Sequence, residues 1–264
     1  LKPSKLLNQL VMQKHKKNLG QHFLHDKNII NKIINSFEIS KNDLFLEIGP
    51  GEGALTTSLV DKLQNIILIE KDKDLIPILA NKFDSKKVQV INQDILKCDL
   101  SNIIKSNMRV IGNLPYNIST EIIFKLLPYS KNIKDLHFML QKEVVDRIVA
   151  GPGTKIYGRL SIMTQAYFTV KKLFDISPNV FIPKPKVDSA YIRLVPKSYI
   201  FDSIFHENKF KSIVTLAFTA RRKMIKTSLR GTISAQLLNN LSIDPSSRPE
   251  TLSIKNYMDI SKNV

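Results

Sequence analysis

The stretch that decides the fold is Leu44-Phe-Leu-Glu-Ile-Gly-Pro-Gly-Glu-Gly-Ala-Leu-Thr56. Leu44, Phe45, Leu46 and Ile48 form an apolar run of strand length that leads straight into Gly49, Gly51 and Gly53. Ala54, Leu55 and Leu59 then open a helical pattern. Strand, glycine turn and helix N-terminus in succession bring backbone close to a nucleotide-like ligand, because glycine reaches left-handed φ and carries no Cβ. The spacing G-x-G-x-G fits neither the dinucleotide G-x-G-x-x-G nor a P-loop with its closing Lys-Ser/Thr. The turn therefore points to a nucleoside whose charged end is small.

Outward from this turn, strand and helix alternate with short joins. The patterns predict strands over 43–48, 65–70, 87–92, 108–112 and 135–140, and helices over 54–63, 73–83, 118–127 and 142–150. Repeated βα units of this length imply an α/β fold with a mostly parallel sheet covered on both faces. Upstream, Asp26 is placed to cap a helix whose apolar face is Ile29, Ile30, Ile33, Ile34 and Phe37. Gly151-Pro-Gly153 interrupts the alternation, and a helix over 160–168 and strands over 169–174 and 189–195 follow. After Pro196 only helical patterns remain, over 205–229, 235–241 and 251–261. This predicts a catalytic unit over 1–198 and a small all-helical unit over 199–264.

Composition narrows the function. The chain of 264 residues, 43% hydrophobic, can bury a full core. Its single cysteine, Cys98, excludes an intrachain disulfide and a multi-cysteine zinc site, which fits a reducing compartment. His15, His22, His25, His137 and His206 are scattered without metal-ligand spacing, so no metal is expected. No apolar run approaches a membrane span and no signal-peptide core opens the chain, so a cytoplasmic protein is expected. Lys plus Arg number 40 against 23 acidic residues, a net charge of +17, and Lys14, His15, Lys16 and Lys17 crowd a weakly structured lead-in over 1–18. Such an excess favours a polyanion, and clustering of the basic residues points to nucleic acid.

In open parallel sheets, ligands bind at the carboxyl ends of the strands. Here four predicted strands in succession finish on polar residues: Glu47 before Gly49, Glu70, Asp94 and Asn113. Glu70 follows Gly49 by 21 residues, the offset at which an acid accepts both ribose hydroxyls. Asp94 is placed to take a donor such as an exocyclic adenine amine. Any one of these acids alone reads as a solvated strand end or a helix cap; four in order along one edge read as a site. Asn113-Leu114-Pro115-Tyr116 then offers an amide, a backbone carbonyl and an aromatic ring. Those are the parts that hold an aromatic amine: two acceptors for its N–H groups and a face for its ring. Two acceptors drawing the hydrogens of adenine N6 out of plane would localise its lone pair towards an electrophile. A plain turn with a packed Tyr is the alternative.

With these residues in place, the chain resembles the class I methyltransferases that use S-adenosylmethionine, a Rossmann-like family. More narrowly it resembles the rRNA adenine N6,N6-dimethyltransferases of the KsgA type. The likeness spans nearly the whole chain, through Asn18-Leu-Gly-Gln-His-Phe-Leu-His-Asp26, Gln141-Lys-Glu-Val-Val145, Tyr157-Gly-Arg-Leu-Ser161, Phe181-Ile-Pro-Lys-Pro-Lys-Val-Asp-Ser189 and Phe218-Thr-Ala-Arg-Arg-Lys223. The resemblance implies that His22, Leu24, Gly51 and Asn113 contact the cofactor, with Gly49 against its methionine part, Glu70 on the ribose and Asp94 on the adenine. It implies that Asn113 and the Leu114 carbonyl hold the target amine while Tyr116 and Phe181 stack the flipped base. Two residues depart from the pattern: His22 stands where Asn is frequent, and Lys184 replaces a Pro. The implied activity is dimethylation of two adjacent adenosines in small-subunit rRNA by a monomer. The alternatives are a large-subunit rRNA methyltransferase of the macrolide-resistance type and a non-catalytic nucleic-acid-binding relative.

In the helical part, Arg222, Lys226 and Arg230 recur every four residues. A helix through them would present a basic stripe widened by Arg221 and Lys223, with Ile213, Leu216 and Ala217 towards the core. Such a stripe would read RNA phosphates without choosing the adenine; a solvated helix face is the alternative.

Overall fold

The structure, a computed structural model, describes residues 21–198 and 201–264. The basic lead-in over 1–18, and Asn18, Leu19 and Gly20 of the amino-terminal motif, lie outside the described residues.

A seven-stranded sheet organises the chain. Its strands are β2 (Leu44–Ile48), β3 (Ile66–Glu70), β4 (Val88–Asn92), β5 (Met108–Asn113), β6 (Ile133–Gln141), β7 (Phe168–Ile176) and β9 (Ser189–Pro196), in the order β4-β3-β2-β5-β6-β9-β7. The pairs from β4 through β6 are parallel. β9 is antiparallel to both β6 and β7, so β9 alone is reversed and the outer strand β7 runs in the direction of the parallel strands. A separate two-stranded ribbon joins β1 (Phe23–Leu24) to β8 (Phe181–Ile182).

Helices α1 (Lys27–Ile34), α2 (Ala54–Leu59), α3 (Ile76–Lys82), α4 (Ser119–Leu126), α5 (Lys142–Val149) and α6 (Arg159–Tyr167) accompany these strands. Asp26 caps α1 as its sequence position predicts, its Oδ1 accepting the Ile29 N–H at 2.9 Å. The strands read as unbroken apolar runs because both faces of the sheet are covered, and alternate side chains enter different cores. Leu46, Ile69, Val110 and Phe138 join one hydrophobic cluster. Their neighbours Phe45, Leu68, Ile111 and Met139 join the other. Each fully buried side chain of this kind contributes about 2–3 kcal/mol.

Beyond β9 the chain is helical, with α7 (Ile204–Thr219), α8 (Ile225–Ser228), α9 (Ala235–Asn240) and α10 (Ile254–Lys262). Phe210, Ile213, Val214, Leu229 and Tyr257 belong to the same hydrophobic cluster as Ile162 and Phe168, so apolar packing runs unbroken from the sheet into these helices.

The expectation of one helix over 205–229 is corrected. α7 stops at Thr219, Ala220 leaves helical backbone and Met224 is extended. The Thr219 hydroxyl donates back to the Leu216 carbonyl at 2.7 Å, and the Ile225 and Lys226 N–H groups donate to the Ser247 and Pro245 carbonyls at 2.7 and 3.2 Å. Burial of Ile225 and Leu229 rewards this arrangement over a continued helix. Arg222, Lys226 and Arg230 therefore do not form one helical stripe. Ile213 and Ala217 face the core as expected, but Leu216 is 36% exposed.

Candidate functional site

The chain leaves β2 towards β3 on one side, while β5 enters on the other. At that switch point, outside the carboxyl ends of the strands, lies a cavity of about 240 Å³. Gly49, Gly51, Glu70, Asp94, Asn113, Leu114 and Tyr116 all line it, together with His22 and Leu24.

The glycine turn forms one wall. Gly49, Gly51 and Gly53 have φ of +67°, +60° and +78°, the left-handed region that only glycine enters without strain. At Gly51 space is also decisive, since a Cβ there would lie 2.8 Å from the Phe23 ring. The Gly51 N–H donates to Glu70 Oε2 at 3.1 Å, and the Asp72 N–H to Glu70 Oε1 at 2.8 Å. Glu70 is thus held rigidly at the end of β3, 6% exposed. Burial raises its pKa; the Asp72 and Gly51 N–H groups oppose the rise, and the Asp72 charge adds to it.

Asp94 lies two residues past the end of β4 rather than on the strand. Its Oδ1 accepts the Leu96 N–H at 3.0 Å and its Oδ2 pairs with Lys71 Nζ at 2.9 Å. The Lys71 hydrogen bond holds its carboxyl below the usual range, against a smaller opposing effect of burial.

Asn113 ends β5 as the sequence predicts. Its Nδ2 donates to the His22 carbonyl at 2.6 Å, which fixes the amide and directs Oδ1 away from that contact. Tyr116, half-buried, shares a hydrogen bond between its hydroxyl and Ser189 Oγ at 2.6 Å, and its ring centroid lies 5.3 Å from that of His22. Burial raises the Tyr116 pKa. The His22 ring in turn bonds through Nδ1 to the Pro183 carbonyl at 2.7 Å. The segment around β1 is therefore a strap along the cavity wall, tied to β5 on one side and to the β8 segment on the other.

This strap corrects one expectation. Phe181 pairs opposite Leu24, is 2% exposed, and packs in the core cluster with Leu24 and Tyr191. It does not line the cavity, so its ring offers no face to a base there. A Phe followed by Ile-Pro gives no sequence signal of that burial.

Glu47, the first of the four strand-end residues, is brought into the site as well. Glu47 lines the cavity with its Oε2 accepting the Thr56 hydroxyl at 2.6 Å, and burial raises its pKa to about 7. Its place directly before the glycine run marks it in the sequence as a strand-end contact, without a role. Phe23, Lys71, Lys82 and Met139 line the cavity too, and nothing local in the sequence marks them.

Of the five basic residues picked out in the helical part, Arg222, Lys223, Lys226 and Arg230 are exposed. Arg221 is half-buried, donates to the Lys155 carbonyl and faces Glu250 at 3.9 Å, so it braces the loop between α5 and α6. Among the described residues, no group of three or more His, Cys, Asp or Glu could hold a metal ion, and no helix is long and apolar enough to cross a membrane.

Residues 12–264 match the model of the ribosomal RNA adenine dimethylase family. The chain belongs to that family. It is 47% identical over 251 residues to "Ribosomal RNA small subunit methyltransferase A" of Legionella pneumophila (strain Corby), covering 94% of this chain and 97% of the relative. A protein of the same name from Marinomonas sp. is 41% identical over 95% of this chain and 96% of its own length. Among solved structures, a dimethyladenosine transferase from Plasmodium falciparum superposes with a TM-score of 0.79 at 25% identity, over 90% of this chain and 96% of that one. The 23S rRNA methyltransferase ErmE shares the fold, with a TM-score of 0.70 at 24% identity over 91% of this chain and 98% of its own. The class I methyltransferase fold expected from the sequence is thus the fold of the chain.

Proposed function

We propose that this chain dimethylates N6 of adenosines in small-subunit rRNA, taking the methyl groups from S-adenosylmethionine bound in the cavity between β2 and β5. The juxtaposition that carries the reading is Glu70, Asp94 and Asn113-Leu-Pro-Tyr116 around one cavity, in a member of the dimethylase family. The cavity suits that cofactor. Its glycine wall leaves backbone where a Cβ would intrude, and its fixed acid at the end of β3 matches a ribose diol.

When bound, S-adenosylmethionine supplies an electrophilic methyl group, so transfer needs alignment and exclusion of water more than a strong base. Glu70 accepts the ribose hydroxyls on lone pairs that its two backbone donors leave over. Asp94 takes the adenine amine, with Lys71 sharing its carboxylate. Gly49 and Gly51 bring backbone to the methionine part, and His22 and Leu24 close the strap over it. Asn113 Oδ1 and the Leu114 carbonyl accept the two hydrogens of the target N6, and Tyr116, steadied by Ser189, supports the base. Extracting an adenine from its stack costs a few kcal/mol, the order that aromatic contact returns. The proton lost by N6 passes to water.

The helical part over 199–264 serves as the RNA-holding unit, with Arg222, Lys223, Lys226 and Arg230 on phosphates and Arg221 at its border with the catalytic unit over 1–198. The protein works in the cytoplasm, as a monomer, on the immature small subunit. Incubating purified small and large ribosomal subunits side by side with labelled cofactor tests the reading. It predicts N6,N6-dimethyladenosine in small-subunit rRNA alone. Transfer to large-subunit rRNA, or none to either while the cofactor binds, would overturn it.

A further inference from the structure

Two acids stand at neighbouring strand ends in the cavity, and they are held differently. Glu70 on β3 receives two backbone N–H groups. Glu47 on β2 is 2% exposed and receives one hydroxyl, from Thr56 of α2, which is itself fully buried. Among the described residues, no cation lies within ion-pair distance of Glu47. Lys82 of α3 lines the same cavity, but its ammonium donates to the Glu52 carbonyl at 2.8 Å. On the other side β5 ends in the neutral Gly112 and Asn113. A negative charge on Glu47 is therefore buried with one neutral donor and a second acid nearby, an arrangement that is costly until a cation joins it.

We propose that Glu47 matches the charge of the ligand: it releases its proton when a positively charged ligand enters and takes one back when that charge is gone. The site thereby favours the sulfonium cofactor over its product, S-adenosylhomocysteine, whose sulfur is neutral. This rests on the S-adenosylmethionine reading above. On entry the carboxyl O–H bond breaks and the proton goes to water. After methyl transfer the sulfur is a thioether, and the carboxylate is reprotonated from water. Burial, partly opposed by Thr56 and Lys82 and reinforced by Glu70, brings the carboxyl to about 7, where this exchange operates near neutrality. Glu70 and Asp94 face parts common to both ligands, so their titration cancels in a comparison of the two.

Calorimetric titration of both ligands at pH 6, 7 and 8, in buffers of different ionisation enthalpy, counts the protons released. The wild type should release more protons with S-adenosylmethionine than with S-adenosylhomocysteine at pH 6 and 7. Because the apo carboxyl must lose its proton first, the preference for the sulfonium ligand should grow about tenfold from pH 6 to pH 8. Glu47→Gln should abolish both the proton difference and the pH dependence of the preference. Thr56→Val removes the donor that favours the carboxylate, so it should move the transition to higher pH. It decides the matter if Glu47→Gln does not fold. Equal proton counts for the two ligands in the wild type, a Gln variant that keeps the tenfold change, or an unmoved transition in Thr56→Val would overturn the proposal. Binding of neither ligand to the wild type would overturn the cofactor reading itself, whereas binding of both with equal counts overturns only the role of Glu47.

Discussion

Glu70 shows what one side chain does at two levels. Its carboxylate pins the glycine turn through the Gly51 N–H and, in the proposed reading, presents its remaining lone pairs to the ribose. Substitution by Ala would therefore mix removal of the ribose hydrogen bonds with loosening of the turn, whereas Glu70→Gln keeps an acceptor for one N–H and loses the charge. Glu70→Gln should weaken S-adenosylmethionine binding by about 2 kcal/mol, the value of charge-assisted hydrogen bonds, in a protein whose thermal unfolding is little changed. Unaltered affinity by calorimetry would remove Glu70 from the site. Glu70 and Asn113 were legible in the sequence because strand length and the offset from the glycines fix where a βα unit ends. The burial of Phe181 and the lack, among the described residues, of a cation beside Glu47 were not legible. The burial of Phe181 depends on a strand more than 150 residues away in sequence, and the isolation of Glu47 depends on which donors the fold withholds.

At the scale of elements, apolar periodicity located the seven strands of the main sheet and the helices between them to within a few residues, since burial on both faces writes itself into the sequence; the two-residue strands β1 and β8 are too short to show a period. The same reasoning failed between Thr219 and Ile225. Helical spacing of Arg222, Lys226 and Arg230 persists there, but the backbone donors go to Ser247 and Pro245, residues that no local pattern announces. The phosphate-binding proposal changes shape accordingly. Arg222 and Lys223 sit in the turn after α7, Lys226 on α8, and Arg230 past its end, so any shared RNA surface is a bent one. Arg222→Glu combined with Lys226→Glu should weaken RNA binding and lower the slope of log affinity against log salt by about 0.7–0.9 for each phosphate no longer neutralised, with cofactor affinity unchanged. Equal slopes for mutant and wild type would show that these residues face only water.

Across the whole molecule, the sheet carries chemistry at one end and a buried ionic cluster at the other. Arg109, 3% exposed, reaches Asp43 and Asp135 at 3.2 Å each and donates to the Glu38 carbonyl at 3.1 Å. Lys134 joins Asp43 at 2.7 Å, and His137 lies 3.4 Å from Asp135. Arg109→Met would remove the cation shared by two buried carboxylates, leaving Asp43 with Lys134 and Asp135 with Arg193, and should cost about 3 kcal/mol in urea unfolding. Burial alone would raise both acids, but at Asp43 the Lys134 and Ser40 hydrogen bonds with Arg109 outweigh it, and at Asp135 His137, Arg109 and Arg193 do so. Both folded-state pKa values are therefore depressed. The stabilisation they give is present above the ordinary carboxylate range and is lost as pH falls through the lowered values, so wild-type stability should drop on the acid side of pH 4. A flat unfolding free energy from pH 5 to pH 2 would contradict the account of this cluster. The parallel half of the sheet could be read from alternating βα patterns. The reversal of β9 between β6 and β7 could not, because the connection from β7 to β9, a short 3₁₀ turn over Pro178–Val180 followed by β8, carries no hairpin signal.

In the proposed reaction Asn113 joins the cofactor cavity to the target amine, and single-turnover methyl transfer to saturating small subunits measures that role. Asn113→Ala should lower the transfer rate by about 10²–10³, the range for losing one well-placed hydrogen-bonding group at a reacting centre. Calorimetric affinity for S-adenosylmethionine should stay within a few-fold of wild type, since Glu70 and Asp94 are untouched. A transfer rate equal to that of the wild type in a folded Asn113→Ala protein would remove Asn113 from the reacting centre.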